Sequence, residues 1–547
     1  MAGGAWRRLT SSIPAWVWAV AVLAALMHMA PYWRAASQTP EGWTFQANLS
    51  ISPDYMQYRV WMRQTQVEGP IVTNTFTTEP NRAYLPVGMY WALGGIAGLT
   101  GMSPEWTYAY AGAVVAFAFV LLLYVVVRRF LGGGAPAAWT LGALLLGGGL
   151  GGYLKLFGDF EFTRGIYWID VFLLRPLVGP EGAVLFEDFR GNYIFQALFD
   201  THFLTFWFVT TLAVYALYAT LHRFTAARLA GTAVLFAFGT LLHVYEGLTL
   251  LVIATAVCAL AAVKRAVSRH TLLLTYGVLC AAVAVTLLPI WVLVKQSGLP
   301  APGWRGETLL FAVVVLSYPV TFGLLLWGFA RYWRDADLDR VFLVGWALGC
   351  LALTLAGPFF PYPDRGTMTL QIPLFIISAA IWFSRRARVG WLAAAVLVLL
   401  TGSTAVHTLR SWEERTVFDA NEAHKWLDAD RARAIDIVRG ADRDDVLVAD
   451  QLNLRWLAPE YPGRHYAGHF FLTVDFQRKQ DELARFYQDM STEERLAFLD
   501  AWSADWLFVD DAYDASGFEA IPGVRRVAAG TAGTLFRVER AAPGAGL

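Results

Sequence analysis

Residues 52–82 read SPDYMQYRVWMRQTQVEGPIVTNTFTTEPNR, and their place in the chain decides how the remainder folds. The stretch follows an apolar run from Ile13 to Tyr32 and precedes another from Tyr84 to Leu99, yet it carries Asp54, Arg59, Arg63, Glu68, Glu79 and Arg82. It therefore holds polar groups beside a bilayer. A carboxylate so placed is either an interfacial anchor or a catalyst.

Working outward, the 547 residues are 56% hydrophobic, with repeated apolar runs of ~20 residues, the length that spans a bilayer core. An α-helical polytopic membrane protein is the class this defines. Basic and acidic residues balance at 43 each, but arginines gather between spans and acids in the last part of the chain, so no nucleic-acid partner is expected. Only five of the basic residues are lysines, and the alanine and glycine richness fits a GC-rich bacterial genome. Cys258, Cys280 and Cys350 fall inside predicted spans without paired spacing, which argues against a disulfide framework or zinc knuckle. The run after Trp6-Arg7-Arg8 is too long for a signal core and is read as an uncleaved first span.

Hydropathy places about 11 spans, near 13–33, 106–127, 136–153, 202–221, 229–245, 248–263, 271–294, 308–330, 341–360, 367–383 and 389–406. Every second loop is basic: Arg7/Arg8, Arg128/Arg129, Arg223/Arg228, Lys264/Arg265/Arg269, Arg331/Arg334/Arg340 and Arg385/Arg386/Arg388. That asymmetry puts the N-terminus in the cytoplasm and the C-terminus outside. Were Tyr84–Leu99 a further span, the later clusters would switch sides. It is expected instead to be re-entrant or interfacial, short and broken by glycine.

Two external loops, 34–105 and 154–200, are long enough to carry function. With them, residues 1–406 form the transmembrane domain. Residues 407–547 have the composition of a small α/β domain facing the extracytoplasmic side. Helices are predicted at 420–440, 476–489 and 491–503, strands at 446–449 and 506–509, and hairpin-like strands at 524–529 and 534–539.

Ionisable groups near spans collect at the outer ends: His28, Asp200, His202, His243, Glu246, Asp364 and Arg365. Midplane charge is nearly absent. That weighs against a secondary transporter and favours chemistry at the outer interface, where one substrate is lipid-bound and the other aqueous. Within the C-terminal domain, His465, His469 and Asp475 lie near turn glycines, and the stronger reading is structural. The glycines of 132–134 and 147–152 belong to a span and its packing.

The segments PDYMQYRVWMRQTQVEG, TTEPNR, Thr201-His202-Phe203, His243-Val244-Tyr245-Glu246, PFFPYPDRGTMTLQIPLF, DDVLVADQLN, PGRHYAGHFFLTVDFQRKQDELARFY and ADWLFVDD resemble a bacterial branch of the GT-C superfamily of membrane glycosyltransferases. The resemblance implies a GT-C-like fold in a bacterial inner membrane. It implies transfer of a sugar, with inversion, from a polyprenyl-phosphate donor to a lipid, glycan or protein acceptor. An aspartate of the first loop would be the base, matched here by Asp54, which stands alone where the superfamily often has a second acid. Arg365 is the first candidate to grip the leaving phosphate, because a guanidinium offers two parallel hydrogen bonds. Glu79, His202, His243 and Glu246 are further candidates for substrate or phosphate binding. Glu79, His202 and His243 are also candidate ligands for a divalent metal. Asp188 and Arg190 are a weaker pair. A flippase for a lipid-linked glycan, or a non-catalytic membrane scaffold, are the alternatives.

Overall fold

The structure, a computed structural model, describes residues 13–50, 53–69, 72–81, 88–147, 193–296, 318–334, 336–355, 364–384, 403–470 and 472–539. The second long loop up to 192, with Asp188 and Arg190, lies outside this set, as does the proposed span at 389–406 up to residue 402. The chain divides into two compact units. One, here the helical unit, comprises residues 1–30, 110–287 and 304–415; the other, the mixed unit, comprises 31–109, 288–303 and 416–547. The first long loop therefore groups with the C-terminal domain, a division different from the composition boundary near 406.

Among the described residues, six helices are long and apolar enough to cross a membrane: Ala15–Ser37, Pro104–Leu131, Thr201–His222, Val244–Val263, Arg269–Trp291 and Leu338–Leu355. Ala135–Leu146, Ala226–Leu242 and Thr369–Ser384 are shorter apolar helices. Helix starts follow from side-chain caps. Asp200 accepts from the backbone N–H of His202 (2.9 Å) and Phe203 (3.2 Å), and Thr225 accepts from that of Arg228 (3.2 Å). These satisfy amides that a first turn leaves without a partner. The short Ala135–Leu146 helix ends where fully buried Gln371 donates to the carbonyls of Leu144 (3.1 Å) and Gly147 (3.3 Å). The rest of the span expected over 136–153 lies outside the described residues.

Close helix packing in this unit depends on absent side chains. A Cβ on Gly345 would lie 2.7 Å from Val257 Cα, and one on Gly349 2.7 Å from Ile253 Cα. The G-x-x-x-G spacing thus lets Leu338–Leu355 press onto the backbone of Val244–Val263.

In the mixed unit, helix Pro53–Glu68 is covered by helix Gly88–Thr100, the segment expected to be re-entrant. Its 13 residues span roughly 20 Å, short of the ~30 Å hydrocarbon core. Gly94 permits the approach, since a Cβ there would sit 2.5 Å from Met62 O. Tyr58 stacks on Tyr90 at 4.4 Å. Strand β1 (Thr44–Phe45) pairs antiparallel with β2 (Trp426–Leu427). A five-stranded sheet follows, built from β3 (Val446–Val448), β4 (Arg464–His465), β5 (Trp506–Asp510), β6 (Val524–Gly530) and β7 (Gly533–Val538) in the order β4-β3-β5-β7-β6. β3 runs parallel to β4 and β5, while β7 is antiparallel to β5 and β6. Leu447, Val448, Leu507, Val509, Phe486, Leu499 and Phe536 are fully buried, each aliphatic or aromatic side chain stabilising by about 1.5–3 kcal/mol.

The predicted elements from 446 onward match within two residues, and Gln451–Leu457, β4 and Ser516–Glu519 are additions. The helix expected over 420–440 is confined to Ala429–Val438, because β2 occupies 426–427 and Asp428 caps the helix by accepting from Arg431 N (2.7 Å).

Gly349→Ala is expected to destabilise the helical unit by about 1–3 kcal/mol through overpacking, read as a lower melting temperature in detergent. An unchanged melting temperature would contradict the close approach.

Candidate active site

The mixed unit knits the first loop to the C-terminal domain at the edge of β4. His465 N donates to Thr75 O (2.8 Å), and Thr77 bridges Ala467 in antiparallel fashion. Asn74 Nδ2 donates to Leu472 O (2.7 Å), and Thr473 Oγ1 to Phe76 O (2.7 Å). Residues 72–77 thus continue the sheet edge, so their backbone groups are paired although the segment is irregular.

This interlock brings His469 to Asp54. Helix Pro53–Glu68 begins with a proline, whose fixed φ suits a first helical position, and Asp54 lies in that first turn. The helix's positive end favours a carboxylate there. His469 Nε2 lies 3.1 Å from Asp54 Oδ1; the imidazole is fully buried, whereas the Asp54 side chain is 38% exposed. The carboxylate is therefore held by a fully buried group while its own side chain is part-exposed. Deeper in the same helix, buried Arg59 pairs with Glu105 at 2.6 Å. Burial opposes the Arg59 charge, but Glu105 and Glu460 outweigh it and hold its pKa above the usual value. This ion pair fixes the helix that carries Asp54.

Glu79 forms an ion pair with fully buried Lys479, 2.7 Å from Oε1, and accepts a hydrogen bond from Thr77. Burial pushes the Glu79 carboxyl up, yet the bonds from Lys479 and Thr77 prevail and leave its pKa lowered. Lys479 also sits over the rings of Trp502 (4.9 Å) and Tyr466 (5.1 Å).

In the helical unit, three segments of the predicted polar layer meet. His28 Nδ1 lies 2.6 Å from Leu198 O and its Nε2 3.4 Å from Thr201 Oγ1. Gly112 leaves room for them, since a Cβ there would come within 2.2 Å of both Nε2 and Oγ1. The rings of His202 and His243 lie 6.1 Å apart with Phe206 against both. Glu246, nearly buried, accepts from Thr210 Oγ1 at 2.9 Å. Arg365 lies in the first turn of helix Asp364–Ser384, and its side chain is outside the described set. Among the described residues no group of three or more His, Cys, Asp or Glu side chains is placed to hold a metal ion.

Two partners of candidate residues, His469 beside Asp54 and Lys479 beside Glu79, escape the sequence reading. His469 is expected in a structural turn, and no local signal says otherwise. Lys479 had a compositional signal, being one of five lysines in an arginine-rich chain. A second, Lys425, is likewise buried against a glutamate, Glu422, at 2.6 Å.

No protein-family model matches this chain, nor does any curated protein sequence. Solved structures do. The archaeal oligosaccharyltransferase AglB from Archaeoglobus fulgidus, in complex with an inhibitory peptide and a dolichol-phosphate, matches at 12% identity and TM-score 0.52, over 91% of this chain and 69% of that one. ArnT from Cupriavidus metallidurans, bound to undecaprenyl phosphate, matches at 12% identity and TM-score 0.53, over 98% and 100%. The mycobacterial arabinofuranosyltransferase AftD matches at 15% identity and TM-score 0.55, over 97% of this chain and 40% of that one. The chain thus shares its fold with these three proteins.

Burial holds the His465 pKa down, from an ordinary 6.5 to about 4, against a bond from its ring to Thr75 O. A group whose folded pKa is depressed stabilises above its unfolded value and loses that contribution as pH falls through the folded one. The melting temperature of the mixed unit is therefore expected to fall between pH 6.5 and 4, and His465→Gln to flatten part of that slope. An identical slope in the variant would contradict the burial of a neutral imidazole.

Proposed function

We propose that this protein is an inverting glycosyltransferase that moves a sugar from a polyprenyl-phosphate donor to a lipid, glycan or protein acceptor on the extracytoplasmic side of a bacterial inner membrane. The fold supports the class, and the neighbours' dolichol-phosphate and undecaprenyl phosphate support a lipid-linked donor. The single observation that carries the chemistry is Asp54, a first-loop carboxylate held by buried His469 at 3.1 Å with its own side chain 38% exposed. In this reading eleven spans set the N-terminus in the cytoplasm and the α/β domain outside.

Asp54 takes the proton of the acceptor hydroxyl as its oxygen attacks the anomeric carbon. The new C–O bond forms while the bond from that carbon to the phosphate oxygen breaks, and its electron pair leaves with the lipid phosphate. A base so positioned contributes typically ~10² to 10⁴-fold. Positive charge for the leaving phosphate is assigned to Arg365. His202 and His243, whose rings lie 6.1 Å apart, and Glu246 remain further candidates for binding the phosphate. Glu79 keeps Lys479 charged and in place, which leaves it a supporting part in the same unit.

The test is turnover. Purified full-length protein incubated with a panel of undecaprenyl-phosphate pentoses and hexoses is expected to consume one of them, with Asp54→Asn slower by at least ~10²-fold at an unchanged melting temperature. Equal turnover by both proteins would remove Asp54 from the mechanism.

A further inference from the structure

We infer that His469 is the positioning residue of Asp54, so that the C-terminal domain, through one imidazole, sets the orientation of the base carried by the first loop. This rests on the assignment of Asp54 as base. Direction comes first. His469 is fully buried and Asp54 is 38% exposed, so the imidazole cannot reach a substrate and acts through the carboxylate. His469 Nε2 lies 3.1 Å from Oδ1 of that carboxylate.

The imidazole is itself held from several sides. Phe76 and Phe470 flank the ring, with centroids at 5.9 and 4.6 Å. Thr473 Oγ1 accepts from the backbone N–H of Gly468 (3.0 Å) and His469 (3.2 Å), and donates to Phe76 O (2.7 Å). Thr473 N closes the turn by donating to His469 O (2.8 Å). Gly468 is needed for this approach, because a Cβ there would stand 2.5 Å from Phe76 Cδ1. A turn fixed by two backbone bonds, one hydroxyl and two rings leaves the imidazole little freedom. Such a support makes the direction of its N–H a property of the fold. The aspartate that stands alone in the sequence is one of a pair in space.

The experiment separates this role from a structural one. His469→Ala is expected to lower kcat by about 10²-fold, the scale of a misplaced reacting group, with KM changed less than about threefold, since substrate is not touched. His469→Gln, which offers an amide N–H in place of Nε2–H, is expected to recover most of the lost rate. His469→Asn, whose amide falls short, is not. Melting temperatures identify any variant that fails through misfolding, and the Gln and Asn pair then carries the comparison alone. In the Asp54→Asn background, His469→Gln and His469→Asn are expected to be equally slow, because no base remains to be oriented. Equal rates of Gln and Asn variants with Asp54 intact, or a His469 effect that persists in full on Asp54→Asn, would overturn the inference. Full activity of Asp54→Asn itself would instead refute the base assignment.

Discussion

The contact between His469 Nε2 and Asp54 Oδ1 joins residues from opposite ends of the chain, and much of the mixed unit's polar architecture serves to keep it. Residues 72–77 run along the edge of the sheet, Thr473 ties the 468–473 turn to Phe76, and the Arg59–Glu105 pair fixes the helix bearing Asp54. None of these bonds need be strong alone. A buried polar network rigidifies a site because leaving any member unpaired is costly. The constraint falls on geometry, which a general base requires more than it requires affinity.

The Glu79–Lys479 pair belongs to the same logic. A fully buried ammonium is tolerated only with a carboxylate and further partners, and here Glu79, Thr78 and two rings supply them. Removing Glu79 would strand that charge beneath the loop. Its place in the first loop thus has a physical cause in the support of buried Lys479.

The large features were legible because they rest on periodicity and composition. Apolar runs located the helices, and alternation of strand and helix signals located β3, β5 and the β6–β7 hairpin. Tyr84–Leu99 resisted hydropathy alone. The regular spacing of basic loops argued against a crossing, and what the structure adds is the packing of helix Gly88–Thr100 on Met62 through Gly94. The bonds from Gln371 to the carbonyls of Leu144 and Gly147 were not legible, because they join residues more than 200 positions apart. Nor was His469, since nothing local in Gly468-His469-Phe470 encodes a contact with Asp54. The grouping of loop 34–105 with residues beyond 416 was equally hidden, because β1 and β2 are two residues each and their pairing is entirely long-range.

The most direct measurement is chemical rescue. In Asp54→Gly a cavity replaces the carboxylate at a position open to solvent, so a small carboxylate can enter and take the proton in its place. The account predicts that sodium formate restores sugar transfer by this variant in a saturable way, with no gain for wild type at the same ionic strength. A variant that folds, binds donor and shows no response to formate at any concentration would contradict the assignment of Asp54 as the base.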